Sequence, residues 1–189
     1  MIGNDIVDIA EARKKSNWQR PRFLEKLFTT KEQQIINKSD KPFLMVWRLW
    51  SMKESAYKLY TQLHPSRFYN PQQFACEIDD SKGKVRYKDF VCYVKTSVTS
   101  QYIISEARLI KANMVSECIE MKPGSSKNKS DTIKTQLLSS IAQQFNIMKE
   151  DMTILKSDFG MPSVYQNSNK LNIGISISHH GSYGAYAIA

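Results

Sequence analysis

Residues 47–60 read WRLWSMKESAYKLY, and this stretch decides the fold because it predicts a long amphipathic helix that carries one misplaced charge. At 100° per residue, Glu54 falls on the side of the helix that carries the aromatic residues Trp47, Trp50 and Tyr57. A carboxylate among aromatic side chains loses hydration, which is costly unless it is paired or bound to a metal. Lys58 lies one turn further on, so the helix alone favours a local Glu54–Lys58 ion pair at a surface edge.

The composition is that of a soluble globular protein. Of the 189 residues, 41% are hydrophobic and 24% are charged, which is enough for one medium domain or two small packed halves. No apolar run approaches the ~18–20 residues of a membrane span, and Asp5 and Asp8 interrupt the apolar N-terminus, which argues against a secretory signal. The three cysteines form no C-x-x-C pair, which argues against zinc and disulfides. We therefore expect reduced thiols in a cytoplasmic protein.

The net charge of +9 indicates an anionic partner, although simple solubility explains it equally well. The partner classes that such a charge fits are nucleic acid, a nucleotide cofactor and an acidic protein. Charge alone does not choose between them.

Turn residues and hydrophobic periodicity predict the order β-α-α-βββ, linker, α-ββ. Thr29 and Glu32 have the spacing of a helix capping box, and Pro42 suits the start of the long helix. The segment 72–110 predicts an antiparallel meander. These elements give a first half at 1–120, a linker at 121–131 and a second half at 132–189 with a helix, a GMP turn and a hairpin.

Two carboxylates are candidate ligands for a hard metal. Asp5 lies in the first predicted strand and Glu54 in the long helix, and Mg²⁺ is commonly held by one or two carboxylates with water and phosphate oxygens. In isolation, an Asx-turn explains Asp5 as well as a metal does.

The segment SISHHGSYG at 176–184 predicts a hairpin crowded with small residues, where backbone amides can approach a ligand. Strand alternation directs Ser178 and His179 to opposite faces, so they are not a nucleophile–base pair. An incidental histidine pair is the alternative, but the two carboxylates and the basic balance favour phosphate chemistry. The sequence has no Walker loop, no G-x-G-x-x-G and no H-E-x-x-H.

Several segments together resemble one enzyme family. GNDIVDI at 3–9 resembles the G-x-D-I-V-E-I opening of holo-acyl-carrier-protein synthases, and LFTTKE at 27–32 resembles their F-[ST]-x-x-E segment. LWSMKESAYK at 49–58 is similar to the W-[SC]-x-K-E-[SA]-x-x-K signature of 4′-phosphopantetheinyl transferases. GMP at 160–162 and ISISHHG at 175–181 resemble the family elements G-K-P and S-x-S-H.

The resemblance implies transfer of 4′-phosphopantetheine from coenzyme A to a serine of an acidic acyl or peptidyl carrier protein, with release of 3′,5′-ADP. It implies that Asp5 and Glu54 hold Mg²⁺, that Lys58 neutralises the leaving phosphate, and that Ser178 and His179 contact the phosphates. Catalytic roles then fall to Glu54, Lys58 and His179, with either Glu54 or a metal-bound water taking the serine proton. Further coenzyme A contacts are expected at Gly160, Pro162, Lys127, Lys129 and Lys134.

The chain departs from the family pattern at three positions. Val7 replaces a second acid found in the surfactin-activating class, which indicates a metal site with more water. Met161 replaces the lysine of G-K-P, which puts one coenzyme A contact in doubt. Glu11 stands where synthases often carry a carrier-binding arginine, a role for which Arg13, Arg20 and Arg22 are substitutes.

The order of the motifs leads to a hypothesis about architecture. The implied fold is the α+β phosphopantetheinyl transferase fold, with two pseudo-equivalent halves built on antiparallel sheets. The meander resembles the C-terminal half of the two-halved class, whereas the GMP and SISHHG elements resemble its N-terminal half. The halves would then be in permuted order, with the two ends of this chain close together. This arrangement favours a monomer, with a synthase-like trimer as the alternative.

The sequence leaves three rival functions open: a nucleic-acid-binding module, a Mg²⁺-dependent phosphohydrolase and a coenzyme A-binding protein without turnover. The basic residues scatter rather than line one face with exposed aromatics, which argues against nucleic acid. The favoured interpretation is a cytoplasmic carrier-activating enzyme of fatty acid and lipid metabolism that uses neither nucleic acid nor membrane as a partner.

Overall fold

Three antiparallel sheets and five α-helices make up the described part of the chain. The structure is a computed structural model that describes residues 1–66, 68, 70–111, 115–121 and 126–189, with only the backbone of residues 126 and 127. The helices are α1 Ile9–Lys15, α2 Phe23–Leu27, α3 Thr30–Lys38, α4 Pro42–Leu63 and α5 Ser126–Phe145. The strands are β1 Gly3–Asp8, β2 Ala75–Asp79, β3 Lys82–Tyr87, β4 Phe90–Val98, β5 Tyr102–Arg108, β6 Glu117–Glu120, β7 Met152–Lys156, β8 Pro162–Gln166, β9 Asn169–Lys170, β10 Ile175–His180 and β11 Tyr183–Ile188.

Helix α4 packs across one face of a five-stranded sheet with the order β1-β5-β4-β3-β2. Pro42 occupies the first turn of α4, where a missing N–H costs nothing. The buried face of α4 follows helical spacing through Val46, Leu49, Met52, Ala56 and Leu59. Gly3 of β1 lies so close that a Cβ there would stand 2.0 Å from the carbonyl oxygen of Ser55. Strand β1 is therefore pressed directly onto the backbone of α4.

Helix α5 covers the second part of the molecule, which contains two three-stranded sheets, β10-β11-β6 and β7-β8-β9. Its buried residues repeat every four positions at Ile133, Leu137 and Ile141. They share one core with Met152 and Val164 of the β7–β8 hairpin, together with Ile175 and Tyr186.

Strand β1 lies at the junction of the two parts. On one side it pairs with β5, and on the other its free N–H groups donate to side chains of β10. The Asn4 N–H donates to Ser176 Oγ at 2.9 Å, and the Asp8 N–H donates to His180 Nδ1 at 3.0 Å. Asp8 Oδ2 also accepts the Ser182 N–H at 2.8 Å. The junction is therefore hydrogen-bonded along the length of β1.

The first and last residues lie side by side, because both contact Gly174. The Gly174 N–H donates to Ala189 O at 2.8 Å, and a Cβ on Gly174 would stand 3.2 Å from the Met1 nitrogen. This proximity agrees with the expectation that the two ends meet. The permuted order of the halves stays a prediction.

The α+β class with antiparallel sheets is confirmed, and so is the capping box of α3, in which Thr29 and Glu32 bond reciprocally. All three cysteines are free, with Cys76 and Cys92 buried and Cys118 partly buried. Burial raises the pKa of the Cys92 thiol to about 12. Within the described residues, no helix is both long and apolar enough to cross a membrane.

Other elements differ from the sequence prediction. Helix α1 is absent from the predicted order, and its start is capped by the Asp8 side chain, which accepts the Glu11 N–H. Strands β7 to β9 were missed, since only a turn was predicted there. Helix α5 begins at Ser126, inside the predicted linker 121–131, and β6 pairs with β11 although it falls within the predicted half 1–120. The division into 1–120, 121–131 and 132–189 stays a prediction.

Candidate functional site

The carboxylate of Asp5 faces the middle of α4. Ser51 Oγ donates to the Asp5 backbone oxygen at 3.1 Å, and Lys58 Nζ donates to Asp5 Oδ1 at 3.0 Å. Lys58 Nζ also donates to the Asn4 carbonyl oxygen at 2.8 Å. Lys58 is thereby paired with the carboxylate of the neighbouring strand, a partner that the helix sequence alone does not reveal.

Glu54 lies on the same face of α4 as these contacts. It follows Ser51 by three positions and precedes Lys58 by four, which places all three within about 60° around the helix axis. Glu54 is half-buried, and its charge acts with burial to raise the pKa of the Tyr57 hydroxyl, burial being the larger cause. The two carboxylates predicted as metal ligands therefore lie on the facing surfaces of β1 and α4.

The surroundings of Asp5 suit a cation. Its side chain is 13% exposed, and burial raises its pKa, against the opposing effects of Lys58 and His180. A carboxylate withdrawn from water is stabilised by nearby positive charge. Among the described residues, no group of three or more His, Cys, Asp or Glu side chains could hold a metal. Two carboxylates completed by water and ligand oxygens fit Mg²⁺, which retains several waters in proteins.

Residues from both parts of the molecule line a cavity of about 270 Å³ next to Asp5. Seven of the residues predicted from sequence meet there: Asp5, Lys58, Lys134, Gly160, Pro162, Ser178 and His179. The remaining lining residues are Ser130, Lys156 and Ile177, which sequence reasoning missed. Lys156 depends on the β7–β8 hairpin, where it lies opposite Pro162, so the prediction of an isolated turn could not reveal it.

Three predicted residues are not among the residues that line this cavity. Glu54 lies beside it on α4, one turn from Lys58. Lys129 Nζ donates to the Gly181 carbonyl oxygen, and its charge acts on His179, which does line the cavity. The side chain of Lys127 falls outside the described residues, so its role stays a prediction.

Positive charge surrounds His179. Partial burial lowers the pKa of its imidazole, and the charges of Lys129, Lys58, Lys156 and His180 lower it further. The imidazole is therefore neutral near pH 7 and retains one N–H donor. An anion in this cavity would meet a neutral donor and several lysines.

Ser178 carries a polar atom that the rest of the chain does not satisfy. Its Oγ is buried and has no hydrogen-bond partner in the described part of the chain. Because side chains alternate along β10, the Ser178 side chain lies on the same face of the strand as Ser176 and His180. Both of these residues accept hydrogen bonds from β1. A buried hydroxyl without a partner is costly, which makes Ser178 Oγ a candidate hydrogen-bonding group for a bound ligand.

A buried ion pair supports the helix behind the site. Lys53 and Glu32 are 0% and 1% exposed, and Lys53 Nζ contacts the two carboxylate oxygens at 2.8 and 2.9 Å. Lys53 also donates to the Phe74 carbonyl oxygen, and Glu32 accepts the N–H groups of Thr29 and Cys76. Both residues belong to the quoted motifs LFTTKE and LWSMKESAYK, so the motifs marked them without indicating that they pair.

A larger concavity, of about 820 Å³, lies on the outer face of the five-stranded sheet. It is lined by residues of β2 to β5 and the segment after β5, and none of the predicted site residues reaches it. Of these two cavities the smaller is the candidate site, because it joins the predicted carboxylate, lysines and histidine, whereas the larger one does not.

Comparison with known proteins agrees with the motifs. A family model described as the 4′-phosphopantetheinyl transferase superfamily matches residues 1–107, more than half of the chain, including Asp5, Glu54 and Lys58. A crystal structure of Thermotoga maritima holo-acyl-carrier-protein synthase is similar at 14% sequence identity and a TM-score of 0.45. This similarity covers 89% of the present chain and 83% of the Thermotoga chain. A comparison with curated protein sequences finds no match.

Proposed function

The chain belongs to the 4′-phosphopantetheinyl transferase superfamily, and from this premise we propose that it transfers 4′-phosphopantetheine from coenzyme A to a serine of an apo carrier protein. The observation that carries the proposal is the convergence of Asp5, Lys58, Lys134 and His179 on one cavity between the two parts of the molecule. Lysines and an imidazole donor around one cavity suit a phosphorylated ligand, and coenzyme A is the one that the family implies.

The reaction is a displacement at phosphorus. The serine oxygen forms a bond to the β-phosphorus of coenzyme A, and the bond from that phosphorus to the bridging oxygen breaks. The products are the phosphopantetheinyl serine and 3′,5′-ADP. Charge builds on the phosphate oxygens and the leaving group, so the protein contributes mainly by holding positive charge and hydrogen-bond donors in place.

Each residue of the site has a distinct role in this proposal. Asp5 and Glu54 would hold Mg²⁺, which when bound would neutralise charge on the diphosphate. Lys58, which is ion-paired with Asp5, neutralises the leaving phosphate. His179 donates its N–H to a phosphate oxygen, and the buried Ser178 hydroxyl does the same. The chain offers Glu54 as an acceptor for the serine proton, and water bound at the site is the alternative.

Further lysines bind the nucleotide end. Lys129 and Lys134 project from the first turns of α5 and are the candidates for the 3′-phosphate, together with Lys127. Gly160 and Pro162 border the same cavity and contribute backbone to its wall.

The carrier protein is the acidic partner in this proposal. Arg13 and Arg20 are held near the start of the chain, with their guanidinium carbons 4.4 and 5.1 Å from the ring centres of Phe43 and Phe23. With Arg22, they form a basic surface for an acidic acyl or peptidyl carrier. The proposal also includes the assembly, which is a monomer with its halves in permuted order, with a trimer as the alternative. The proposed carriers are those of fatty acid synthesis, and the proposed location is the cytoplasm.

Incubation with coenzyme A, Mg²⁺ and apo carrier proteins tests this function, with the carriers then weighed by mass spectrometry. We expect the mass of one carrier to rise by one phosphopantetheine group. Glu54→Ala should reduce the rate at least a thousandfold, since it removes a metal ligand, while circular dichroism shows the fold retained. Lys170→Met, at the end of the two-residue strand β9 and not among the residues that line the cavity, is the control. No mass gain on any carrier, or hydrolysis of coenzyme A without transfer, would refute the proposal.

A further inference from the structure

Lys156 is a cavity-lining cation that no family motif marks. It is the last residue of β7, it is exposed, and it lies opposite Pro162 at the mouth of the β7–β8 hairpin. The turn beyond it is closely hydrogen-bonded. The Ser157 N–H donates to Met161 O at 2.9 Å, and the Gly160 N–H donates to Ser157 O at 2.8 Å. The backbone that carries Lys156 is therefore fixed relative to the cavity wall.

The other lysines around the cavity are already engaged. Lys58 is paired with Asp5, and Lys134 Nζ lies 3.4 Å from Asp131 Oδ1. Lys129 donates to the Gly181 carbonyl oxygen. These lysines reach a ligand only by sharing or exchanging the partners that they already have.

Lys156 differs because, within the described part of the chain, no carboxylate lies within ion-pairing distance of it. Its charge nevertheless acts on the cavity, since it contributes to lowering the pKa of His179. An ammonium group free of other partners can approach an incoming anion without first breaking an ion pair.

We propose that Lys156 binds a phosphate group of the ligand in the cavity lined by Asp5, Lys58 and His179. This inference rests on the proposed function for the identity of the ligand, coenzyme A. It also resolves the departure at Met161: that side chain carries no charge, and the facing strand of the same hairpin supplies one instead.

Binding affinity measured by titration calorimetry tests the inference. Lys156→Met should weaken coenzyme A binding about tenfold or more, as expected for loss of a charged hydrogen bond. Lys156→Arg should retain most of the affinity, and Lys170→Met should match the wild type. The double variant Lys156→Met with Met161→Lys should recover part of the loss, because it returns a cation to the same hairpin.

Ligand fragments identify which phosphate is bound. If Lys156 contacts the 3′-phosphate, Lys156→Met weakens coenzyme A but not 3′-dephospho-coenzyme A. If it contacts the diphosphate, both weaken equally. Either pattern supports the inference. Unchanged binding of both ligands in Lys156→Met, or an equal loss in Lys170→Met, overturns it.

Inorganic pyrophosphate separates this inference from the proposed function. Suppose that the wild-type protein binds pyrophosphate but neither binds coenzyme A nor transfers its phosphopantetheine group. The transferase proposal then fails, whereas a weaker pyrophosphate affinity in Lys156→Met still supports the contact between Lys156 and a phosphate. Transfer that proceeds with unchanged coenzyme A affinity in Lys156→Met leaves the transferase standing and refutes the contact. If the wild-type protein binds neither pyrophosphate nor coenzyme A, the transferase proposal and the Lys156 contact are both refuted.

Discussion

The protonation of His179 couples the site to its ligand. Partial burial lowers the pKa of this imidazole below 6.5, and three lysines on separate elements, Lys129 on α5, Lys58 on α4 and Lys156 on β7, lower it further. An anionic ligand reverses the local field and favours the protonated form. Ligand binding should therefore raise the pKa of His179 and take up a fraction of a proton.

Titration of the histidine ring by NMR measures this effect. In the free protein we expect the His179 signal to titrate below pH 6.5, and with saturating 3′,5′-ADP we expect its midpoint to move upward. Coenzyme A should consequently bind more tightly as the pH falls from about 7 to 6. A midpoint that stays fixed or falls on ligand addition would show that His179 does not face the phosphates.

Among the elements, α4 is joined to α3 and to the chain before β2 by one buried charged residue, Lys53. Lys53→Met leaves the Glu32 carboxylate buried without its cation, and loss of one partner of a buried pair typically costs about 3–5 kcal/mol. Urea unfolding should show that loss in the free energy of unfolding. Lys53→Met combined with Glu32→Gln should be less destabilised than Lys53→Met alone, because the uncompensated charge is gone.

A structural role for Lys53 predicts a further result. Under conditions where Lys53→Met remains folded, its coenzyme A affinity should stay close to that of the wild type, since Lys53 points away from the cavity into the core. A large loss of affinity in a fully folded variant would contradict this assignment and place Lys53 in the binding machinery.

The features of helices and turns that the sequence predicted correctly depend on local chemistry. The Thr29–Glu32 capping box, the Pro42 helix start and the tight turn after His180 each depend on a few consecutive residues. The Lys53–Glu32 pair, the Asp8–Ser182 bond and the position of Lys156 depend on contacts between distant segments, which periodicity does not report. The motifs located Asp5, Lys58, Ser178 and His179, but only the fold shows that one cavity joins them.

In the molecule as a whole, β1 is the element that the two parts share. Its N–H groups bond to Ser176 and His180, and Asp8 Oδ2 accepts the Ser182 N–H. A small apolar cluster of Ile6, Ile104, Tyr183 and Ala185 completes the junction. Asp5 and Lys58 come from one part and His179 from the other, so the cavity exists only while this junction holds.

A circular permutant tests whether the two parts can exchange order. Met1 and Ala189 both contact Gly174, so a short glycine-serine linker can join them, and the chain can be opened between Met121 and Ser126. Every contact between β1 and β10 survives this change, and joining the two ends while opening the chain elsewhere alters stability by only about 1 kcal/mol. The permutant should therefore fold and bind coenzyme A with near wild-type affinity by calorimetry. A matched permutant opened between Met52 and Lys53 should not fold, because it cuts α4. Failure of the first permutant to fold would show that the two parts need their present order.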